Sequence, residues 1–237
     1  MRKKVLCIIP ARKGSVGLRN KNLKIFAGKP LIQWTIDSAL KSKLISKICL
    51  STDSEEIIEL VKKKYKKKIE IPFKRPKKIS RNNSLISDAI IYSLNYYKKK
   101  DEHFDYILLL EPTSPIRFKS DIDTAISKLT KKEKKFNSLV SLGEVKISPY
   151  IYKIIDNNKI VNFIKNNKKN LNKQNFKKVY FPYGIIYLSK VRNYIKHKTF
   201  YSNKTMFYKI KPIQCFEIDD IYDFYCAETI FKKLIKS

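Results

Sequence analysis

Residues 5–22 read VLCIIPARKGSVGLRNKN, and this stretch decides the fold. The apolar run Val5–Ile9 stops at Pro10. A loop follows that mixes Gly14, Ser15 and Gly17 with the cations Arg12, Lys13, Arg19 and Lys21, ahead of Asn22. A buried strand feeding a flexible cationic loop is how α/β proteins build a phosphate site. Glycines let backbone N–H groups approach phosphate oxygens, and Arg and Lys balance the charge. The spacing matches neither G-x-x-x-x-G-K-[ST] nor G-x-G-x-x-G, so neither a Walker loop nor a dinucleotide fingerprint is present. A basic surface loop after a strand is the plainer alternative.

Working outward, apolar strands alternate with amphipathic helical segments, which predicts α/β architecture with a mainly parallel sheet and crossover helices. Strands are expected at Val5–Ile9, Lys47–Thr52, Ile69–Phe73 and Tyr106–Leu110. Helices are expected from Pro30 to about Ser42, after Ser54, near Ser84–Lys98 and from about Ser120. The pattern then changes. Ser138–Val145 is strand-like, and Ile151–Ile155 and Lys159–Ile164 flank Asp156-Asn157-Asn158 as a β-hairpin. Lys165–Lys178 is a polar run of low complexity, expected to be a mobile loop. Gly184–Leu188 is regular again, and a closing strand at Gln214–Ile218 precedes a helix from Asp220. No linker divides the chain, so residues 1–237 are expected to form one domain with an excursion at about 140–190.

The chain of 237 residues is 43% hydrophobic, enough for a substantial core. No apolar run approaches the ~20 residues of a membrane-spanning helix. Charged residues follow the N-terminal apolar run at once, which predicts a first strand of a cytoplasmic protein and not a leader. The formal net charge of +31 invites nucleic acid as a partner. The surplus is mostly lysine in patches such as Lys62–Lys68, Lys98–Lys100 and Lys131–Lys135, however, and no helix-turn-helix, RNP-like or zinc-finger pattern accompanies it; no specific nucleic-acid partner is expected. Cys7, Cys49, Cys215 and Cys226 are far apart and form no C-x-x-C pair, which argues against zinc or thioredoxin-like chemistry. His103 and His197 have no nucleophile or ligand neighbours in sequence.

Two further segments carry chemistry. Tyr106–Arg117, YILLLEPTSPIR, delivers Glu111, Thr113 and Ser114 to the C-terminal end of a strand, where open α/β sheets bind ligands. Glu217-Ile218-Asp219-Asp220 brings two carboxylates to one side of an extended segment, a donor set suited to Mg²⁺ shared with phosphates. Asp219 or Asp220 would equally suit a helix N-terminus.

Together these segments resemble the CMP-sugar synthetases, cytidylyltransferases that activate sialic acid and related 2-keto sugar acids. Ala11, Arg12, Ser15, Gly17, Leu18, Lys21 and Asn22 match that family's opening loop, with Val16 where Lys is usual. Glu111-Pro112-Thr113-Ser114-Pro115 resembles its Q-P-T-S-P turn, with Glu for Gln. Asp219 matches the second Asp of D-I-D, and Glu217 stands in for the first. Arg75-Pro76 resembles the cytosine-contacting segment, with Asn82 where Asp is usual. Lys173-Gln174 resembles the R-Q that holds the sugar acid, and Tyr183 precedes Gly184 where Asn is expected.

The resemblance implies a three-layer nucleotide-diphospho-sugar-transferase-like (Rossmann-like) fold. It implies CTP and a 2-keto sugar acid as substrates, a CMP-sugar and pyrophosphate as products, Mg²⁺ as cofactor and a homodimer. By residue, Arg12, Lys21 and Asp219 would be catalytic. Ala11, Arg12, Gly14, Ser15, Asn22 and Arg75 would bind nucleotide. Glu111, Thr113, Ser114, Lys173 and Gln174 would bind sugar, and Asp219 and Glu217 the metal. With Val16 in place of a cation, Lys13 or Arg19 is expected to supply that charge. Another sugar nucleotidyltransferase, a catalytically impaired homologue and a basic nucleic-acid binder remain the alternatives.

Overall fold

The computed structural model describes residues 3–14, 17–164 and 177–235. Among them, ten strands and six α-helices follow in chain order. β1 (Val5–Pro10), β2 (Ile25–Phe26) and β3 (Lys29–Pro30) lead into α1 (Leu31–Leu40). Then come β4 (Lys47–Ser51), α2 (Glu55–Tyr65), α3 (Ile86–Lys98), β5 (Tyr106–Leu109) and α4 (Asp121–Lys131). β6 (Ser138–Glu144), the hairpin β7 (Lys153–Asp156) and β8 (Lys159–Asn162), and β9 (Tyr180–Lys190) precede α5 (Val191–His197), β10 (Thr205–Lys209) and α6 (Ile221–Leu234).

Six strands form one sheet in the order β10-β6-β9-β5-β1-β4. All run parallel except β9, which pairs antiparallel with both β5 and β6. Alternate residues of β1 serve opposite faces, as the two-residue period of a strand requires. Val5, Cys7 and Ile9 pack with α1, α2 and α4, while Leu6 and Ile8 pack with α3 and α5. A strand buried on both faces reads as an unbroken apolar run. A third cluster joins Phe26, Leu31, Ile116 and Ile218 to the inner face of α6. The expected three-layer, mainly parallel architecture is therefore present.

Local signals set the helix ends. Ser54 accepts a hydrogen bond from Ile57 N, and α2 carries Glu55 and Glu56 in its first turn and Lys62–Lys64 in its last, as the helix dipole favours. At α6, Asp220 and Asp223 cap each other reciprocally. In the hairpin, Asn157 and Asn158 adopt φ of 46° and 62°, the left-handed pair of a tight two-residue turn.

Two expected strands are corrected. Ile69–Phe73 forms only isolated bridges, Cys49 with Glu70 and Thr52 with Lys74. Gln214–Ile218 is not a strand: Pro212–Gln214 is a 3₁₀ turn, and the following extended segment is anchored by Ile218 N donating to Thr113 O at 2.8 Å. The outermost parallel strand is β10, hydrogen-bonded to β6. Of the expected mobile loop, residues 165–176 lie outside the described residues.

Candidate active site

β1, β4 and β5 all end at one edge of the sheet, and a cavity of about 430 Å³ opens there. Arg12, Lys21, Asn22, Arg75, Glu111, Thr113 and Asp219 line it. Its cations come from the opening loop and Arg75, and its carboxylates from the end of β5 and the segment before α6, which meets the loop at Lys21.

The loop after β1 is pinned at both ends. Ala11 N donates to Ser51 O at 2.9 Å, and Lys13 N donates to the Asp53 carboxylate at 2.7 Å. Gly17 lies so close to the chain at Asp219 that a Cβ there would sit 2.4 Å from the Asp219 carbonyl oxygen. Any larger residue would push the loop off the acidic segment. Lys21 opens a short 3₁₀ turn after the left-handed Asn20, and its ammonium donates to Ile218 O at 2.7 Å and to Asp219 Oδ1 at 3.1 Å. Asp220 and Asp223 are engaged in capping α6, so Asp219 alone of the three presents its carboxylate to the loop.

Arg12 reaches across the cavity mouth, donating to Arg81 O at 3.1 Å and Asn82 Oδ1 at 2.9 Å. Arg75 is buried, with its guanidinium on Ser51 Oγ at 3.0 Å and Ser51 O at 2.7 Å. Burial pushes its pKa down to about 10, so it stays cationic at neutral pH.

Glu111 follows β5 and its carboxylate faces the cavity with no hydrogen-bond donor among the described residues. Burial, reinforced by the charge of Glu217 and opposed by Arg117, raises its pKa from 4.5 to about 7. Glu217 is raised too, first by burial and then by the charge of Asp219. An ionised carboxylate here would repel an anionic ligand, and partial protonation near neutral pH eases that repulsion.

The position of Glu111 depends on a bulge. Between Val140 and Leu142 of β6, β9 runs from Tyr187 back to Pro182, so its residues 183–186 have no ladder partner on β6. The Ser141 hydroxyl takes up part of this backbone, accepting from Ile186 N at 2.9 Å and donating to Tyr183 O at 2.6 Å. Arg117, buried, takes up the rest. It donates to Ile185 O at 2.9 Å, Gly184 O and Glu111 O at 2.7 and 2.8 Å, and Thr35 Oγ1 at 2.8 Å. Gly184 is then so close that a Cβ would lie 2.3 Å from Glu111 Oε2.

Most of the expected site residues converge here, but not all. Ala11 is buried beneath the loop, Gly14 lies at the rim near Asn82, and Ser114 is buried under the turn with its hydroxyl unpartnered. Neither Lys13, paired with Glu56 at 3.3 Å, nor Arg19 lines the cavity. Ser15, Val16, Lys173 and Gln174 lie outside the described residues. Arg81, Ser84, Leu85 and Ile86 line the cavity without a sequence signal beyond their nearness to Arg75. Arg117 closes the segment YILLLEPTSPIR, but its role of satisfying a bulge in β9 has no sequence signal.

Two solved structures share this fold. CMP:2-keto-3-deoxy-manno-octonic acid synthetase complexed with CTP has a TM-score of 0.66 at 14% identity, covering 98% of this chain and 99% of its own. A 4-diphosphocytidyl-2C-methyl-D-erythritol synthase has a TM-score of 0.70 at 8% identity, covering 98% and 99%. In sequence, the N-acylneuraminate cytidylyltransferase of Escherichia coli O18:K1:H7 is 30% identical over 98% of this chain and 53% of its own length. The pseudaminic acid cytidylyltransferase of Campylobacter jejuni strain 81-176 is 30% identical over 97% of each chain. The CMP-N,N'-diacetyllegionaminic acid synthase of Legionella pneumophila is 31% identical over 93% of this chain and 90% of its own. The chain thus spans about half the length of the N-acylneuraminate relatives it matches and nearly all of the pseudaminic one. The cytidylyltransferase family pattern matches residues 6–234, which takes in the loop after β1, the turn after β5 and the acidic segment before α6; the chain belongs to that family.

Proposed function

We propose that this protein transfers the cytidylyl group of CTP to a 2-keto sugar acid of the sialic-acid-like class, releasing pyrophosphate and supplying surface polysaccharide or glycan synthesis. One observation carries the reading: a single cavity brings Arg12, Lys21 and Arg75 together with Glu111 and Asp219, with Lys21 on Asp219 at 3.1 Å. Its sequence relatives are named for N-acylneuraminate, pseudaminic acid and N,N'-diacetyllegionaminic acid, all sugar acids of that class.

In the reaction, the hydroxyl on the anomeric carbon attacks the α-phosphorus. A new O–P bond forms, the bond to the bridging oxygen of pyrophosphate breaks, and the hydroxyl proton is lost. Arg12 and Lys21, with loop N–H groups, hold the triphosphate and offset the charge that develops as pyrophosphate leaves. Asn22 orients the nucleotide and Arg75 meets the base. Thr113 and Glu111 face the sugar.

Mg²⁺ fits the residues present. Asp219 lines the cavity and Glu217, two residues before it on the same extended segment, does not; the two offer hard oxygen donors. That is the donor set of an ion completed by substrate phosphates and water. When bound, the ion would supply charge neutralisation at the α-phosphate and acidify the attacking hydroxyl. Lys21, now on Asp219, would turn to the phosphates.

A homodimer in the cytoplasm completes the reading. The hairpin exposes Ile155 at 81% and Ile160 at 75%, apolar surface suited to a second copy. Among the described residues no helix is long and apolar enough to cross a membrane. Pyrophosphate release from CTP, UTP, GTP and ATP, measured against a panel of nonulosonic and shorter keto-deoxy acids, tests the proposal. CTP with one such acid should turn over, and Lys21→Ala and Asp219→Ala should each lower kcat/KM by roughly 10²-fold or more. Full activity in both variants would overturn the assignment. Preference for another nucleotide would make the protein a different sugar nucleotidyltransferase.

A further inference from the structure

A second and larger concavity, about 1030 Å³, lies at the opposite edge of the sheet, where β1 and β5 begin and β9 ends. The six residues of β1 separate it from the catalytic cavity by roughly 20 Å. Lys3, Lys134, Lys190, Arg192, Lys196 and Lys204 line it. We infer that this cleft binds a small, multiply charged oxyanion of the phosphate or pyrophosphate class.

The cleft holds two carboxylates, and both are already engaged. Glu133 accepts from the Tyr106 hydroxyl at 2.6 Å and pairs with Lys3 at 3.1 Å. Asp105 accepts from Lys4 N at 2.7 Å. Lys190 is only 8% exposed, and its ammonium is fixed on Glu133 O and Asn137 Oδ1. The side chains of Lys134, Arg192, Lys196 and Lys204 make no hydrogen bond or ion pair among the described residues. These four cations are exposed around one concavity, above the buried Lys190, without a counter-charge among the described residues. The pKa of Lys190 is lowered first by its own burial and then by Arg192, with Lys3 and Lys204 adding smaller repulsions and Glu133 opposing. An oxyanion among these ammonium and guanidinium groups would relieve that repulsion.

The occupant is a small anion and not a nucleic acid. Single-strand binding uses exposed aromatic faces on which bases stack. Here Tyr106 is buried, with its hydroxyl on Glu133, and Phe104 is half-buried edge-on against Tyr97.

Calorimetric titration with inorganic pyrophosphate and with phosphate, at constant ionic strength, tests the inference. It does not depend on the proposed reaction, and Lys21→Ala separates the two cavities. The wild type and Lys21→Ala should both retain a remote site of submillimolar affinity. Arg192→Gln combined with Lys204→Gln should weaken that site at least tenfold. In chloride at low salt the same double variant should melt no lower than the wild type, because it loses repulsion and no contact. Unchanged titration of the double variant, or complete loss of binding in Lys21→Ala, would overturn the inference. So would an oligonucleotide bound tenfold more tightly than pyrophosphate in the wild type and lost in the double variant.

Discussion

Glu111 ties the stability of the molecule to pH. Its carboxyl titrates near 4.5 when free and near 7 in the fold, because burial and Glu217 disfavour the charged form. The folded state therefore binds this proton more tightly than the unfolded chain does. Its stability is greatest below pH 4.5 as far as this group is concerned, and falls as pH rises through about 7. The full effect is about 3 kcal/mol. Urea midpoints of the metal-free protein at pH 5 and pH 8 should show this fall, and Glu111→Gln should flatten it. A slope unchanged by that substitution would assign the dependence elsewhere. The residue was legible in sequence as a carboxylate at a strand end. Its environment was not, since Glu217 and Gly184 come from segments far along the chain.

At the scale of elements, the bulge in β9 shapes the acidic side of the cavity, and Arg117 holds the bulge. Arg117→Met keeps the apolar stem but takes the Arg117 donor from Ile185 O, while Gly184 O keeps Glu111 N at 3.0 Å and Glu111 O keeps Ser114 N at 3.2 Å. One buried acceptor left unpaired costs about 1–3 kcal/mol and two others lose a charge-assisted bond, so a loss of roughly 2–4 kcal/mol is expected in denaturant unfolding. A change within 1 kcal/mol would show that the bulge finds other donors. Elements of this kind differ in how plainly the sequence displays them. β1 is legible because burial on both faces leaves five consecutive apolar residues before Pro10. The start of α2 is legible from Ser54 and two glutamates. Gln214–Ile218 misleads because Ile218 is buried under α6, not paired in the sheet, so its apolar character reports packing alone. β10, TMFYK, is half-exposed at the sheet edge and carries neither a clean alternation nor an apolar run. Bulges leave no signal, because the residues that satisfy them are distant in sequence.

For the whole molecule, the exposed hairpin is the feature most at odds with a chain acting alone. Both of its strands are exposed throughout, and Ile155 and Ile160 project from the central pairs. If the proposed homodimer forms through this hairpin, the wild type should be dimeric by light scattering and Ile155→Lys with Ile160→Lys monomeric, with the melting temperature of the monomer's own core retained. A wild type that is monomeric at tens of micromolar would remove the premise. The order of strands has another consequence, for the order of events during synthesis. β4, β1 and β5 can assemble with α1–α4 once about half the chain has emerged. β6 cannot join them, because the place beside β5 belongs to β9, which is made later. A growing chain on the ribosome therefore carries a half-built sheet with β6 waiting, and residues 180–190 act as the keystone that closes it.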